Sequence, residues 1–309
     1  MPKAKAKTKN IETYSPHNYV YPNTTTLKNK YGITDLSALL EKCAHDTAKA
    51  LVNLREESLP EYFDTAYLKA IHQQLFQNTF EWAGHTRNEP FTFADGSVAA
   101  MPEMKRTGWK NSFAVGDEIE EGLQELDRTL AEKNNLQGLT REEFAEEAAE
   151  LFSSLNKIHP FREGNGRAQR LFFEKLAKAA GHQLDFSLIT KERMIEASIA
   201  AMQNGDTEPM KHLFEDISNP EKIRLLKEFM SNMRNSGREI NDHIVMVAKE
   251  GETYTGTYRG AGDEGFVLNV DGGYVVGDKD DLTPEQLKTL KPGDKITFTA
   301  SKDKELKEI

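Results

Sequence analysis

The chain has 309 residues, a formal net charge of −10 and a pI near 5.4, which gives room for two domains with a buried core. The acidic balance argues against a nucleic-acid-binding surface as the main business, and no apolar run is long enough to span a bilayer. The single cysteine, Cys43, excludes cysteine-rich zinc sites and disulfide frameworks.

The lysines at positions 3, 5, 7 and 9 alternate with small residues and read as a disordered basic tail. Met1-Pro2-Lys3-Ala4 lacks the apolar core of a secretory signal, so a reducing cytosol is the expected compartment. Residues 1–34 form an N-terminal extension, and from about 35 to 235 apolar residues recur mainly at helical spacing. Cys43 lies in such a stretch and reads as a small buried residue. Phe91 to Val98 alternates apolar and polar residues around Asp95-Gly96, which predicts a hairpin. Lys105 and Arg106 follow it and could reach phosphate oxygens.

Phe144, Ala148, Leu151, Phe152, Leu155 and Ile158 predict an amphipathic helix ending at His159, because Pro160 forces the preceding residue out of the helical region. A second helical stretch runs from Arg167 through Leu171, Phe172 and Leu176 to Gly181. Ser218-Asn219-Pro220 opens a helix to Asn235. Composition then shifts near residue 237. His243 to Ala248, Thr253 to Arg259, Gly265 to Val270 and Tyr274 to Val276 are β-prone runs with glycine-rich turns. Thr283-Pro284-Glu285-Gln286 marks a helix start, and Lys295 to Ala300 a fifth strand. This order predicts a small OB-like β-barrel over 238–309. From Asp242 to Ile309 there are nine Lys/Arg against fourteen Asp/Glu, so the module reads as a protein-contact or spacer unit rather than a nucleic-acid binder. Gly260-Ala261-Gly262-Asp263-Glu264-Gly265 matches a dinucleotide fingerprint in letters only. A strand-like run follows it, not a helix, so it reads as a hairpin turn.

The chemistry concentrates in His159-Pro160-Phe161-Arg162-Glu163-Gly164-Asn165-Gly166-Arg167. Glycines flanking an asparagine can adopt angles denied to other residues, and their N–H groups can converge on an anion. A helix starting near Asn165 or Gly166 adds its own unpaired N–H groups. Arg167 offers forked donors for phosphate, with Arg170 one turn on. Glu163 can hold magnesium against phosphate oxygens. His159, at a helix end facing this cradle, is placed as a general base. The set fits moving a phosphate-linked group onto a hydroxyl; the alternatives are a phosphate-ligand or partner-binding module without turnover, or transfer of a phosphate-linked group other than a nucleotide.

The same nine residues resemble the signature loop of Fic-domain proteins, and Arg170 matches the second arginine that often follows. Ile71-His72, Leu75-Phe76, Phe80, Trp82-Ala83-Gly84 and Arg87 resemble the family's opening segment. Asn204-Gly205-Asp206, Pro209 and Phe214 resemble its closing helices. The resemblance implies a mainly α Fic domain over 35–237 with a hairpin flap over the active site, able to pair with an extended target segment. It implies transfer of AMP from ATP to a Ser, Thr or Tyr hydroxyl of a target protein. His159 would act as base, Glu163 as magnesium ligand, and Arg162, Gly164, Asn165, Gly166, Arg167 and Arg170 as nucleotide contacts, with Lys105 and Arg106 in support. Glycine at position 166, where phosphoryl-transferring members tend to carry lysine, favours nucleotide transfer.

A Fic domain followed by an OB-like module also resembles type IV secretion effectors of Bartonella, which implies delivery into a host cytosol. Those effectors carry a further C-terminal delivery domain, expected to be missing from a chain that stops at Ile309, which reads either as a fragment of a longer protein or as a departure from that part of the resemblance. Many Fic proteins are inhibited by a helix bearing Ser/Thr-x-x-x-Glu-Gly/Asn. Glu121-Gly122, Glu250-Gly251 and Glu264-Gly265 have Asp117, Met246 and Gly260 four residues earlier, so none qualifies. The expectation is a separate small inhibitor protein whose glutamate meets Arg170 or Arg167.

Overall fold

A computed structural model describes residues 14–302; the basic tail named above lies outside them. The elements follow the sequence closely. They are helices α1 (Leu36–Glu56) and α2 (Thr65–Phe76), strands β1 (Phe91–Thr92) and β2 (Val98–Ala99), then α3 (Asp117–Glu132), α4 (Arg141–Ile158) and α5 (Asn165–Ala179). Next come α6 (Lys191–Asn204), α7 (Glu208–Ser218) and α8 (Pro220–Asn235), then β3 (Val245–Val247), β4 (Thr253–Ala261), β5 (Gly265–Val270), β6 (Gly273–Asp278), α9 (Pro284–Thr289) and β7 (Lys295–Thr299).

Side-chain caps start five of these helices. Asp35, Asp64 and Thr190 accept hydrogen bonds from the N–H groups of Ala38, Tyr67 and Arg193, and Asn219 caps α8 ahead of Pro220. Thr283 and Gln286 form the anticipated capping box of α9. The six apolar residues anticipated on α4 are all buried, as helical periodicity requires.

The chain divides into two compact units. Among the described residues, the first comprises 14–108, 112–129 and 157–172, and the second 109–111, 130–156 and 173–302. In the first, α1 lies against α2, and an aromatic cluster of Tyr19, Phe76, Phe80, Trp82, Phe93 and Phe161 is buried around His72. The flap is shorter than a tight two-residue hairpin would make it: Phe91 pairs with Ala99 and Thr92 with Val98. Its tip turns on Asp95, whose carboxylate accepts from Ser97 N at 2.8 Å, and on Gly96 at φ +85°.

In the second unit Phe152, Phe173, Phe186 and Phe214 form a ring cluster. The composition shift near residue 237 lies inside this unit. The five anticipated strands form one sheet in the order β3-β6-β5-β4-β7, with β3 parallel to β6 and the other pairs antiparallel. The glycine-rich stretch after Arg259 is the β4–β5 hairpin, as anticipated. One face of this sheet buries Tyr258, Phe266, Leu268, Val275, Ile296 and Phe298 with Leu282. No pairing joins β3 to β7 among the described residues, so the sheet stays open where a barrel was expected to close. The outward groups of β3 are bonded to side chains instead: Arg193 Nη1 donates to Val245 O, His212 Nε2 to Val247 O, and Val247 N to Asp216 Oδ2.

Candidate active site

The loop between α4 and α5 holds the motif from His159 to Gly164, and the first turn of α5 holds Asn165, Gly166 and Arg167. α4 stops at Ile158, and His159 enters the left-handed region at φ +49°, outside the right-handed helical region as Pro160 demands. A non-glycine residue there costs roughly 1–2 kcal/mol, and three contacts hold it in place. Arg87 Nε donates to His159 O at 2.7 Å, Arg87 N donates to Pro160 O at 2.8 Å, and the Phe113 ring stacks on the imidazole at 3.9 Å between centroids. Burial, followed by the charges of Arg87, Arg106 and Arg162, pushes the His159 pKa down to about 3. The imidazole is therefore neutral at pH 7, the form that accepts a proton.

Phe161 is buried and stacks on His72 at 3.8 Å. His72 Nδ1 accepts from Gly84 N at 2.9 Å, so its proton sits on Nε2, which donates to Glu163 O at 2.8 Å. Burial lowers the His72 pKa to about 4. Asn165 opens α5, and its amide closes a reciprocal pair with Phe161: Oδ1 accepts from Phe161 N and Nδ2 donates to Phe161 O. The Asn165 side chain is thus spent on holding the loop. Only its backbone N–H, with those of Gly166 and Arg167 in the first turn of α5, is left by the helix for an anion.

The two glycines are needed for different reasons. Gly164 has φ +84°, and a Cβ there would lie 2.3 Å from Phe76 Cε2. Gly166 is helical, and a Cβ there would meet only the movable end of Arg170, 3.0 Å from Nη1. The expectation that both supply special backbone angles is corrected to Gly164 alone; Gly166 leaves room. Gly164→Ala combines the left-handed penalty with a ring clash, so it should cost about 2–4 kcal/mol in urea unfolding. Gly166→Ala should cost less than about 1 kcal/mol.

Around the cradle, the Arg167 guanidinium carbon lies 4.7 Å from the centre of the Phe76 ring, and Nη1 donates to Thr47 Oγ1 at 3.3 Å. Cys43, buried as expected, is 3.7 Å from the same nitrogen. Arg170 lies over Gly166 on the same face of α5. Arg162 stands over the Tyr19 ring, with its Nε buried and without a hydrogen bond. Glu163 is half exposed, its Oε1 accepting from Gly164 N at 3.1 Å and lying 4.0 Å from Arg167 Nη2. Among the described residues no cluster of three or more His, Cys, Asp or Glu could hold a metal alone. Glu163 fits the other arrangement, one carboxylate sharing magnesium with substrate phosphates. Lys105 and Arg106 are exposed on an irregular segment; the charge of Arg106 reaches His159, while Lys105 has no contact with the loop among the described interactions.

Sequence reasoning gave no role to Arg87, His72 or Phe113. The first two were visible only as part of a resemblance, and nothing around Phe113 separates it from an ordinary core aromatic.

The family model described as Fic/DOC family matches residues 62–177. A solved structure named type IV secretion system effector protein BepA is 79% identical and superposes with a TM-score of 0.89, covering 94% of this chain and 98% of that one. This chain belongs to the Fic/DOC family. A protein adenylyltransferase of Bartonella henselae is 79% identical over 307 residues, 99% of this chain and 56% of the relative. The chain thus spans little more than half that relative's length. The structure of a BepC protein from Bartonella tribocorum, with bound AMPPNP, is 56% identical with a TM-score of 0.66, covering 67% of this Fic chain and 99% of its own. A second family model, described as intracellular delivery domain, matches residues 246–298. It falls on the strands β3 to β7, which corrects both the reading of these strands as a contact or spacer module and the expectation that a delivery domain is missing. No helix among the described residues is long and apolar enough to cross a membrane.

The two neutral histidines make acid the weak side of this Fic domain. Between their lowered values and the usual 6.5, the unfolded chain takes up protons that the folded chain refuses, so stability falls with pH. Unfolding free energy should drop by on the order of 2–4 kcal/mol from pH 7.5 to 5. Urea titrations at the two pH values measure it, and His159→Asn should lose about half of the dependence.

Proposed function

We propose that this chain is a protein adenylyltransferase that moves AMP from ATP onto a hydroxyl side chain of a target protein and releases pyrophosphate. The observation that carries this reading is a neutral imidazole, held in a strained backbone conformation, on the short loop that leads into the N-terminus of α5 and its arginines Arg167 and Arg170. A binding module has no use for such a base. The relatives named adenylyltransferase and the AMPPNP-bound neighbour support the same reading.

In this mechanism the first-turn N–H groups of α5 and the guanidinium groups of Arg167 and Arg170 bind the phosphates. Arg162, Gly164, Asn165 and Gly166 shape the cradle, and Arg106, with Lys105 behind it, adds positive charge at its rim. The target hydroxyl gives its proton to His159 while its oxygen attacks the α-phosphorus. The bond from that phosphorus to the β-phosphate oxygen breaks, and pyrophosphate leaves with the electron pair. Magnesium held through Glu163 would neutralise phosphate charge as it develops. Extended target segments would pair with the β1–β2 flap.

Control by a separate small protein is part of the proposal. On α1, Leu36, Leu40, Ala44, Ala48 and Val52 form an exposed apolar stripe beside Cys43 and Thr47, which touch Arg167. An inhibitor helix lying along that stripe would bring a glutamate to Arg167 or Arg170. The strands matched by the delivery-domain model fit export through a type IV secretion system into a host cytosol.

Intact-mass spectrometry of candidate targets after incubation with ATP and magnesium tests the reaction. A gain of one AMP supports it; a gain of one phosphate, or none with any target, overturns it. For the inhibitor, the purified chain should be active alone. A silent chain switched on by mutating one of its own glutamates would refute an inhibitor in trans.

A further inference from the structure

Arg87 is fully buried, and all five of its guanidinium N–H groups meet backbone carbonyls. Nε donates to His159 O at 2.7 Å. Nη1 donates to Met101 O at 2.8 Å and to Pro102 O at 3.0 Å. Nη2 donates to Ala114 O at 2.7 Å and to Ile158 O at 3.2 Å. With Arg87 N bonded to Pro160 O, one residue holds three successive carbonyls, 158, 159 and 160, around the left-handed turn. Met101 and Pro102 are the exit of the flap, whose base closes through Met101 N donating to Arg87 O at 2.7 Å. Ala114 follows Phe113, the ring stacked on the imidazole.

A buried cation with only neutral acceptors is an expensive way to satisfy carbonyls. Among the described residues no carboxylate pairs with it, and burial lowers its pKa to about 10. The arrangement suits a guanidinium because five donors diverge from one rigid plane. No other side chain could reach flap exit, stacking segment and helix end together.

We infer that Arg87 is a positioning residue: it ties the base of the flap and the Phe113 segment to the backbone on both sides of His159, and so sets where the imidazole stands relative to a target held by the flap. This rests on the transfer reading above. Arg87→Lys keeps the charge and loses the fork. It should leave the KM for ATP within about threefold of wild type and lower kcat about 10- to 100-fold, as expected for a base displaced by an ångström or less. In 15N-histidine NMR titrations the His159 imidazole should titrate well above its wild-type value, toward 6.5, as stacking and burial loosen. Phe113→Leu removes the stacked ring without touching the guanidinium and should move the same two readouts in the same direction.

A folded Arg87→Lys protein with wild-type kcat overturns the inference, as does a reduced kcat with an unmoved His159 titration. Should Arg87→Lys fail to fold, Phe113→Leu decides: an unchanged His159 titration there overturns it. The NMR readout needs no turnover. Absence of AMP transfer in the wild type would therefore sink the transfer reading while leaving the positioning of His159 independently measurable.

Discussion

His159→Ala should abolish most AMP transfer while leaving nucleotide binding intact. General-base catalysis supplies about 10²–10⁴-fold in rate, and no other neutral imidazole stands on the loop, since His72 spends both ring nitrogens on Gly84 N and Glu163 O. In the proposed binding mode the phosphate contacts come from the first turn of α5 and from arginines, not from the imidazole, so the affinity for a non-hydrolysable ATP analogue should change less than about threefold. Calorimetry with that analogue, together with single-turnover labelling of a target, separates the two effects. If the variant labels at the wild-type rate, His159 is not the base. If it loses the analogue as well, the loop needs the imidazole for its shape. The Phe113 stack makes that second outcome a real test, because removing the ring leaves a space beside Phe113.

What the sequence made legible was the order of chemistry-bearing residues along the chain. α4 and α5 were readable because their apolar faces repeat at helical spacing, and the break between them because Pro160 forces His159 out of the helical region. The same logic found the five strands, bounded by glycine-rich turns. The missing information was long-range. Nothing near Arg87 in sequence says that its five partners lie at 101, 102, 114, 158 and 159. Asn165 sits between two glycines and looked like part of an anion nest, yet its amide turns back to Phe161. Gly164 and Gly166 are indistinguishable as letters; only Phe76 against the first and Arg170 against the second separate their roles. The open sheet was hidden for the same reason, since closure depends on what meets the outer edge of β3, and that edge is met by side chains from α6 and α7.

Those side chains set the largest stability effect expected in the second unit. Asp216→Ala should destabilise it by about 3–5 kcal/mol, the usual result of removing one partner from a buried ionic group. Asp216 is fully buried; its Oδ2 accepts from Val247 N at 3.0 Å and lies 2.7 Å from Arg193 Nη2. His212 Nε2 and Lys222 Nζ stand 3.5 and 3.9 Å from Oδ1. Arg193 and Lys222 are nearly as buried, so alanine leaves two cations short of a counter-charge and one strand N–H unbonded. Lys222 keeps Glu250 at 3.0 Å, but in the described contacts Arg193 keeps only Val245 O. The damage should therefore concentrate at β3, a three-residue edge strand whose outward groups are protected only by these side chains. Hydrogen exchange should show Val247 N–H losing protection while the β4–β5 amides retain theirs. Asp216→Asn, which keeps an acceptor and loses the charge, should fall between wild type and alanine. Asparagine matching alanine would mean that charge dominates; asparagine matching wild type would mean that the hydrogen bond to Val247 is what holds the edge.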